Sequence, residues 1–364
     1  MNFASYRELI SGRSRGPVAG VARSALSFAS AFYGAAVGAR NWAYDVGALR
    51  TWTAAVPVIS VGNLTAGGTG KTPIVAVLVD WFASRGFRPV ILSRGYRAHA
   101  GAVNDEKLVL DQLCPGVVHL QGASRVESAS LACQQHGAQV LVLDDGFQHR
   151  RLFRQVDLAL VDALDPWGGG RLLPRGLLRE PRTALRRADA VILTRADQCT
   201  PAEKGVLIDE IRHFGRGEAP IEAVFRPTGL INSEGSGTRV DSLDSVAAFC
   251  GIGNPEGFRR TLADAGVGKI AAFRAFRDHH HYTEADLDDL AGWARHHGAV
   301  ALVTTQKDLV KIPRRCLGDL PHLGNLPLWA LAVRAEFTAG QDRLTKPLQD
   351  LATRISAPNL SKFQ

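Results

Sequence analysis

A glycine-rich segment that ends in a lysine and a threonine follows a short apolar run near the start of the chain. Residues 58–73 read Val-Ile-Ser-Val-Gly-Asn-Leu-Thr-Ala-Gly-Gly-Thr-Gly-Lys-Thr-Pro. Glycines let backbone N–H groups approach phosphate oxygens, and the positive end of a following helix attracts the same anion. In such loops the lysine reaches the β- and γ-phosphates and the hydroxyl coordinates Mg²⁺. The sequence therefore predicts a nucleotide site formed by Thr65, Ala66, Gly67, Gly68, Thr69, Gly70, Lys71 and Thr72.

Two adjacent carboxylates supply the second half of such a site. The apolar run Val140–Leu143 ends in Asp144 and Asp145, and Gly-Phe-Gln-His follows. A carboxylate at the carboxyl end of a strand beside a phosphate loop holds Mg²⁺ directly or through water. We therefore predict Thr72, Asp144 and Asp145 as the metal ligands. The alternative is a strand that ends in a solvated Asp-Asp-Gly turn.

These residues need a parallel sheet to bring them together. From residue 57 onward, short apolar runs alternate with helix-like segments, and a second alternating series begins at residue 246, after a polar loop. This alternation indicates parallel strands joined by crossover helices, and 364 residues suffice for two domains. The predicted fold class is α/β, with a P-loop NTPase-type parallel sheet domain at 51–228 and a smaller α/β domain at 229–364, which closes over the site.

The first fifty residues differ from the rest of the chain because they are basic and rich in small apolar residues. One helical face of residues 17–39 carries Val18, Val21, Ala25, Ala29, Phe32 and Ala36. Arg23 and many small residues make this stretch a marginal membrane span. We predict that residues 1–50 form an amphipathic, membrane-associating segment at an anionic membrane surface. The alternative is a helix that packs on the protein's own core.

Composition and charge restrict the partners without selecting one. The formal net charge is +8 and the sequence pI is about 9.5, so anionic partners are favoured. No basic stripe interleaved with aromatic residues supports nucleic-acid binding, and we predict no nucleic acid and no protein partner. The five cysteines form no Cys-x-x-Cys pair, so we expect reduced thiols.

Seven segments, taken together and in order, resemble the tetraacyldisaccharide 4'-kinase family. They are Val61–Pro73, Ser93–Tyr96, Asp144–His149, Leu172–Pro181, Gly251–Pro255, Phe276–Tyr282 and Thr305–Asp308. Thr65 occupies the position where phosphate loops usually carry glycine, and this variant is itself typical of the family. The resemblance extends from the basic amino-terminal helix to about residue 335.

The resemblance implies a lipid kinase with ATP and Mg²⁺ as cofactors. The expected reaction transfers the γ-phosphate of ATP to the 4'-hydroxyl of an acylated glucosamine disaccharide 1-phosphate in lipid A biosynthesis, at the cytoplasmic face of the bacterial inner membrane. The enzyme is expected to be peripheral or shallowly inserted there.

The family's catalytic pair matches Asp105 and His279, although residues 104–107 read Asn-Asp-Glu-Lys instead of the family's Gly-Asp-Glu-Pro. We hypothesise that His279 hydrogen-bonds Asp105 and tunes it when the two lobes close. Asp105 then orients the sugar hydroxyl and accepts its proton late. The remaining expected substrate or phosphate contacts are Arg94, Tyr96, Gln148, Arg179 and Glu180.

Two other functions share the loop and the paired acids. One is a GTPase or metal-insertion chaperone, for which Thr194–Asp197 bears a faint similarity to a guanine-binding motif. The other is a membrane-bound nucleotide sensor without catalytic activity. The choice of adenine over guanine therefore rests on the family resemblance.

Overall fold

The structure, a computed structural model, describes residues 3–95, 105–278, 280–313, 322–323 and 325–357. Two compact units divide the chain. The first unit comprises Met1–Val224 and Phe337–Gln364, and the second comprises Phe225–Glu336.

A parallel sheet forms the centre of the first unit. Its strands are β1 (Val58–Asn63), β2 (Pro89–Ser93), β3 (Val118–Gln121), β4 (Val140–Asp144), β5 (Val156–Asp162) and β6 (Ala190–Thr194). Their spatial order is β6-β5-β1-β4-β2-β3, and every one of these pairs is parallel. A further strand, β7 (Ile221–Ile231), begins in this unit and pairs in parallel with β6 through residues 221–223. The sheet confirms the predicted α/β class.

Helices surround this sheet, which explains why its strands are apolar throughout. They are α1 (Phe3–Ser11), α2 (Pro17–Asp45), α3 (Lys71–Ala83), α4 (Asp105–Leu113), α5 (Arg125–His136) and α6 (Pro201–Phe214). Strands covered on both faces carry continuous Val, Ile and Leu runs, and β1, β2, β4 and β5 are buried along their full lengths. The carboxyl ends of parallel strands meet at one edge, where the loops after β1 and β4 both begin.

The long helix α2 presents two different faces. Ser30 Oγ donates to Leu172 O and Tyr33 OH donates to Arg179 O, both at 2.9 Å, so one face rests on the protein. The other face exposes apolar side chains, including Val18 (82% exposed), Phe28 (69%) and Phe32 (63%). The small and polar face of α2 thus contacts the protein, and the apolar face is left outside. Within the described part of the chain, no helix combines the length and the apolar character that crossing a bilayer requires.

The second unit contains its own parallel strands. They are β9 (Val246–Cys250), β10 (Ile270–Ala275), β11 (Ala301–Thr305) and β13 (Leu326–Ala339), in the spatial order β10-β9-β11-β13. The last three residues of β13 belong to the first unit. Two short strands, β8 (Gly237–Thr238) and β12 (His322–Leu323), pair antiparallel with β7 and β13. The helices are α7 (Pro255–Asp264), α8 (Glu284–His296) and α9 (Gln306–Leu309).

The carboxy-terminal helix α10 (Asp342–Ser356) lies in the first unit, whereas the sequence placed it in a domain at 229–364. Arg343 explains this difference because its guanidinium donates to the carbonyls of Ala219 and Pro220, both in the first unit. The amino-terminal residues 1–50 also belong to the first unit. Contacts of this kind join residues far apart in the chain and leave no local pattern in the sequence.

Close packing between β1 and the turn after β4 provides a test of the fold. A Cβ atom added at Gly62 would lie 2.6 Å from both Cβ and N of Phe147, which is closer than real carbon contacts allow. We expect Gly62→Ala to destabilise the protein by about 1–3 kcal/mol because the backbone must move, and to lower the midpoint of thermal unfolding. Gly205 in α6 is the control, because a Cβ atom there meets nothing within 4 Å. Gly205→Ala should stabilise by about 0.5–1 kcal/mol, and an equal loss in both variants would contradict the packing argument.

Candidate nucleotide-binding site

The segment 64–70 is held at its start by hydrogen bonds to a second loop. Arg179 N donates to Leu64 O, and Ala66 N donates to Leu177 O, both at 2.7 Å. Asn63 at the end of β1 adds a third bond, because its Nδ2 donates to Thr65 O at 2.7 Å. The loop after β1 therefore has a backbone conformation fixed by the segment 177–179.

Its second half is held by the residues that end β5 and β6. Thr194 Oγ1 donates to Thr69 O at 3.0 Å. Arg195 has a left-handed backbone, with φ 54°, and its buried guanidinium pairs with Asp162 at 2.6 Å and reaches Gly68 O at 3.4 Å. Such backbone strain in a residue other than glycine persists only where surrounding contacts enforce it. Side chains thus engage carbonyls of the loop, which helps to keep its amides available for an anion.

Helix α3 begins directly at the end of this loop. Gly70 precedes it with φ 81°, a left-handed conformation that glycine adopts without strain, and no side chain caps the helix. An uncapped helix start leaves N–H donors and a positive dipole end for an anion. Lys71 Nζ lies 3.1 Å from Asn63 Oδ1 and 3.4 Å from Asp145 Oδ1, so the ammonium stands beside the loop. These features fit the phosphate site that the sequence predicts.

Asp145 forms the ionic centre of the site. Arg179 Nη1 contacts its two carboxylate oxygens at 3.0 and 2.8 Å, and Lys71 approaches from the loop. Burial opposes ionisation of this carboxyl, but the charges of Lys71 and Arg179 outweigh it and hold the pKa of Asp145 well below its ordinary value. Its backbone is left-handed, with φ 55°. Asp145 is therefore a fixed anion between two cations.

Asp144 differs from its neighbour because it is deeply buried and forms no ion pair among the residues that the structure describes. Burial raises its pKa to about 7, helped by the nearby charge of Glu106 and opposed by Lys71. Its Oδ1 is buried and accepts no hydrogen bond from the described residues. A buried carboxylate oxygen without a donor fits a Mg²⁺ ion or a water bound to it. Mg²⁺ usually takes one or two carboxylates plus substrate phosphates, and the described residues form no cluster of three or more metal-ligand side chains.

Gln148 joins the turn after β4 to the phosphate loop. Its Nε2 donates to Asn63 O at 2.9 Å, and its Oε1 accepts from Arg179 at 3.4 Å. Two glycines permit this close approach, because a Cβ atom at Gly146 would lie 2.6 Å from Ser60 Oγ and one at Gly62 would collide with the same turn. The structure thus brings together Lys71, Asp144, Asp145, Gln148 and Arg179.

Glu180 faces a different set of residues. It is fully buried, and its carboxylate accepts from Arg187 at 2.6 Å, from Asn41 at 2.9 Å and from Arg40 at 3.3 Å. These contacts connect α2 to the segment that carries Arg179. The geometry gives Glu180 a positioning role, through the backbone of its neighbour.

For the other expected site residues, the structure gives only their position along the chain and their exposure, or does not describe them. Asp105 is the first residue of α4 and is half-buried. Arg94 is exposed at the end of β2, and its charge helps to lower the pKa values of Arg125 and His149. Tyr96 and His279 lie outside the residues that the structure describes.

Several residues that the structure places at the site were not among the predicted site residues. They are Asn63, Glu106, Arg125, His149, Asp162, Thr194 and Arg195. Arg125 is a buried arginine whose pKa is lowered by burial and by Arg94, while Asp145 and Asp144 oppose that change. Burial lowers the pKa of His149 to about 4, with Arg125 adding to the effect, so its imidazole is neutral near pH 7. For Asn63, Asp162, Thr194 and Arg195 the sequence offered one signal, which is their position at the end of an apolar run.

Comparison with known proteins agrees with this geometry. The model of the Tetraacyldisaccharide-1-P 4'-kinase family matches residues 22–353. The chain belongs to this kinase family. A tetraacyldisaccharide 4'-kinase from Anaeromyxobacter sp. (strain K) is 41% identical over 321 residues, covering 82% of this chain and 83% of that protein. The kinase from Anaeromyxobacter sp. (strain Fw109-5) is 38% identical over 369 residues, covering 94% and 95%.

A solved structure of the tetraacyldisaccharide 4'-kinase family shares the fold. The LpxK crystal structure from Aquifex aeolicus in complex with ATP superposes with a TM-score of 0.69 at 30% identity. The match covers 90% of this chain and 99% of the Aquifex chain. Family membership confirms the resemblance seen in the sequence and favours a kinase over the GTPase and sensor alternatives.

The hydroxyl of Thr194 offers a direct test of the loop geometry. Thr194→Val keeps the shape but removes the donor to Thr69 O, which leaves a carbonyl unpaired inside the protein. We expect ATP affinity to fall about threefold to tenfold, because the bond contributes roughly 1 kcal/mol. Titration calorimetry measures this affinity. The control is Thr353→Val, which removes an exposed hydroxyl bond within α10, and equal affinities in both variants would contradict the role of Thr194.

Proposed function

We propose that this chain transfers the γ-phosphate of ATP to the 4'-hydroxyl of tetraacyldisaccharide 1-phosphate, the reaction that names its family. The observation that carries the proposal is the arrangement of Lys71, Asp145 and Arg179 beside the loop after β1. Two cations and an uncapped helix start suit a polyphosphate, and the paired acids suit its metal ion. Membership of the family indicates the phosphate acceptor, tetraacyldisaccharide 1-phosphate.

Binding of the triphosphate is assigned to the loop residues 65–72. The backbone amides of the loop, except that of Ala66, which donates to Leu177 O, and the start of α3 contact the phosphates. The ammonium of Lys71 balances charge on the β- and γ-groups. Asp145 keeps Lys71 and Arg179 in place before the nucleotide arrives. Such pre-organisation lowers the cost of ordering these side chains during the reaction.

Thr72, Asp144 and Asp145 would hold Mg²⁺ in this proposal. When bound, the ion would neutralise the charge that develops on the phosphoryl group during its transfer. Asp144 suits this role because its buried Oδ1 has no donor among the described residues and its raised pKa falls when a cation is near.

Asp105 and His279 are proposed to act on the acceptor. Phosphoryl transfer has a loose transition state, so Asp105 only needs to orient the hydroxyl and accept its proton late in the step. His279 is proposed to tune Asp105. Arg94, Tyr96, Gln148 and Arg179 are proposed contacts for the substrate or phosphates, while Glu180 positions Arg179.

Replacing the proposed catalytic pair tests these roles. We expect Asp105→Ala and His279→Ala each to reduce turnover about 100-fold while ATP affinity changes less than about threefold, because neither residue binds nucleotide. The measurement is transfer of labelled γ-phosphate to the disaccharide lipid, with ATP and GTP in parallel. His281→Ala is the control, since His281 is an exposed neighbour. Equal losses of turnover and ATP affinity would assign the pair to the fold or the nucleotide pocket.

The exposed face of α2 supports a location at the cytoplasmic surface of the inner membrane. Val18, Phe28 and Phe32 lie on it, and Arg13 and Arg15 immediately precede the helix. Apolar side chains enter the interface between headgroups and acyl chains, while arginines bind anionic headgroups. The lipid substrate is presented in the same layer.

Changing two phenylalanines on this face tests the membrane proposal. We expect Phe28→Asp combined with Phe32→Asp to weaken binding to phosphatidylglycerol vesicles about tenfold or more. The reason is the loss of two aromatic rings that would enter the membrane interface. Vesicle flotation measures the bound fraction. Val206→Asp is the control, because Val206 is equally exposed, at 63%, but lies on α6. Unchanged flotation of the double variant would contradict a role for α2.

A further inference from the structure

The first helix, α1, contacts residues 174–175, which lie just before the segment 177–179 that supports the phosphate loop. Tyr6 OH donates to Pro174 O at 2.7 Å, and Arg175 donates to Ile10 O at 2.7 Å. Leu9 and Ile10 are both buried. The helix is therefore docked at its middle and at its end, although it is only nine residues long.

Docking of α1 brings a guanidinium to the phosphate loop. A Cβ atom added at Gly67 would lie 3.8 Å from Arg7 Nη2. The same nitrogen lies 3.4 Å from Asp165 Oδ2, and the side chain of Arg7 remains 36% exposed. The guanidinium is thus held beside the loop and remains partly exposed to solvent.

A further cation at the site would help to neutralise the phosphates, because the charges of Lys71 and Arg179 are partly offset. Lys71 and Arg179 both contact Asp145, so one carboxylate offsets part of their positive charge. The terminal phosphoryl group spreads negative charge over three oxygens during transfer, and arginine is the side chain best suited to bind them. Arg195 also reaches a loop glycine, but its guanidinium is buried against Asp162, whereas the guanidinium of Arg7 lies beside Gly67 and remains partly exposed.

We propose that Arg7 donates hydrogen bonds to the terminal phosphoryl group of bound ATP and stabilises its charge during transfer. This inference rests on the proposed function. In the step, the bond between the γ-phosphorus and the oxygen bridging it to the β-phosphate breaks, and a bond to the sugar oxygen forms. The hydroxyl proton passes to Asp105, and ADP leaves. Asp165 holds Arg7 near the loop until the nucleotide binds.

The position of Arg7 in the chain connects this contact to the membrane-facing helix. Only residues 12–16 separate α1 from α2, and Arg23 of α2 donates to Ser14 O at 2.7 Å within this connection. The arginine is therefore delivered by the same polypeptide segment that exposes Phe28 and Phe32.

Three variants of the full-length protein test the proposal. Arg7→Ala removes the guanidinium, Arg7→Lys keeps the charge without the planar fork, and Asp165→Asn removes the partner charge. The asparagine retains an oxygen that can accept from Gly168 N, as Asp165 does at 3.0 Å. Kinetics with the lipid acceptor give kcat and both KM values, and calorimetry gives the affinities for Mg²⁺-bound ATP and ADP.

We expect Arg7→Ala to lower kcat about 100-fold with little change in the KM for lipid. ATP affinity should fall about tenfold while ADP affinity stays constant, because only ATP carries the terminal group that Arg7 binds. Arg7→Lys should retain part of both effects, and Asp165→Asn should keep the preference for ATP.

Equal weakening of ATP and ADP in Arg7→Ala would overturn the proposal, since Arg7 would then only dock α1, as would equal weakening of both nucleotides in Asp165→Asn together with an unchanged ATP to ADP ratio in Arg7→Lys. If Arg7→Ala does not fold, the ATP to ADP ratio of Arg7→Lys decides the question: a reduced ratio supports the proposal and an unchanged ratio overturns it. A wild-type protein that transfers no phosphate to the lipid would refute the proposed function, but the calorimetric ratio would still decide the role of Arg7.

Discussion

A phosphate loop can bind an anion only if its carbonyls are satisfied elsewhere, and this constraint organises the first unit. Asn63 and Thr194 donate side-chain hydrogen bonds to the loop carbonyls, and Arg179 N adds a backbone bond to Leu64 O. Each donor stands at the end of a strand or on the segment 177–179. The parallel sheet matters because it brings these ends to one edge, where loop amides and the start of α3 remain for the phosphates.

At this edge of the sheet, the adjacent carboxylates of Asp144 and Asp145 have different surroundings. Asp145 lies between Lys71 and Arg179, which keep it ionised, whereas burial raises the pKa of Asp144 to about 7. Asp144 is the last residue of β4, and Asp145 follows it with a left-handed backbone, so the two side chains have different environments. Asp145 thus orders the two cations, and we propose that Asp144 binds the metal ion.

The sequence predicted the parts of the site that depend on local pattern. The glycine-rich loop, Lys71 and the acids after β4 all follow apolar runs, so their placement at one sheet edge was predictable. Thr194, Arg195 and Asp162 were missed because their role depends on contacts between distant strands. Helix α2 was predicted as amphipathic, but the use of its small, polar face for contacts with Leu172 and Arg179 required the structure.

The central claim is that a polyphosphate and its metal ion sit between the loop residues 65–72 and the acids after β4. The most direct measurement is a crystal structure of the full chain with Mn²⁺ and a non-hydrolysable ATP analogue, in which anomalous scattering locates the metal. We expect an anomalous peak about 2 Å from Thr72 Oγ1, with the acids after β4 beside it and the phosphates on the loop amides. A nucleotide bound elsewhere, or a metal remote from Thr72, Asp144 and Asp145, would contradict it.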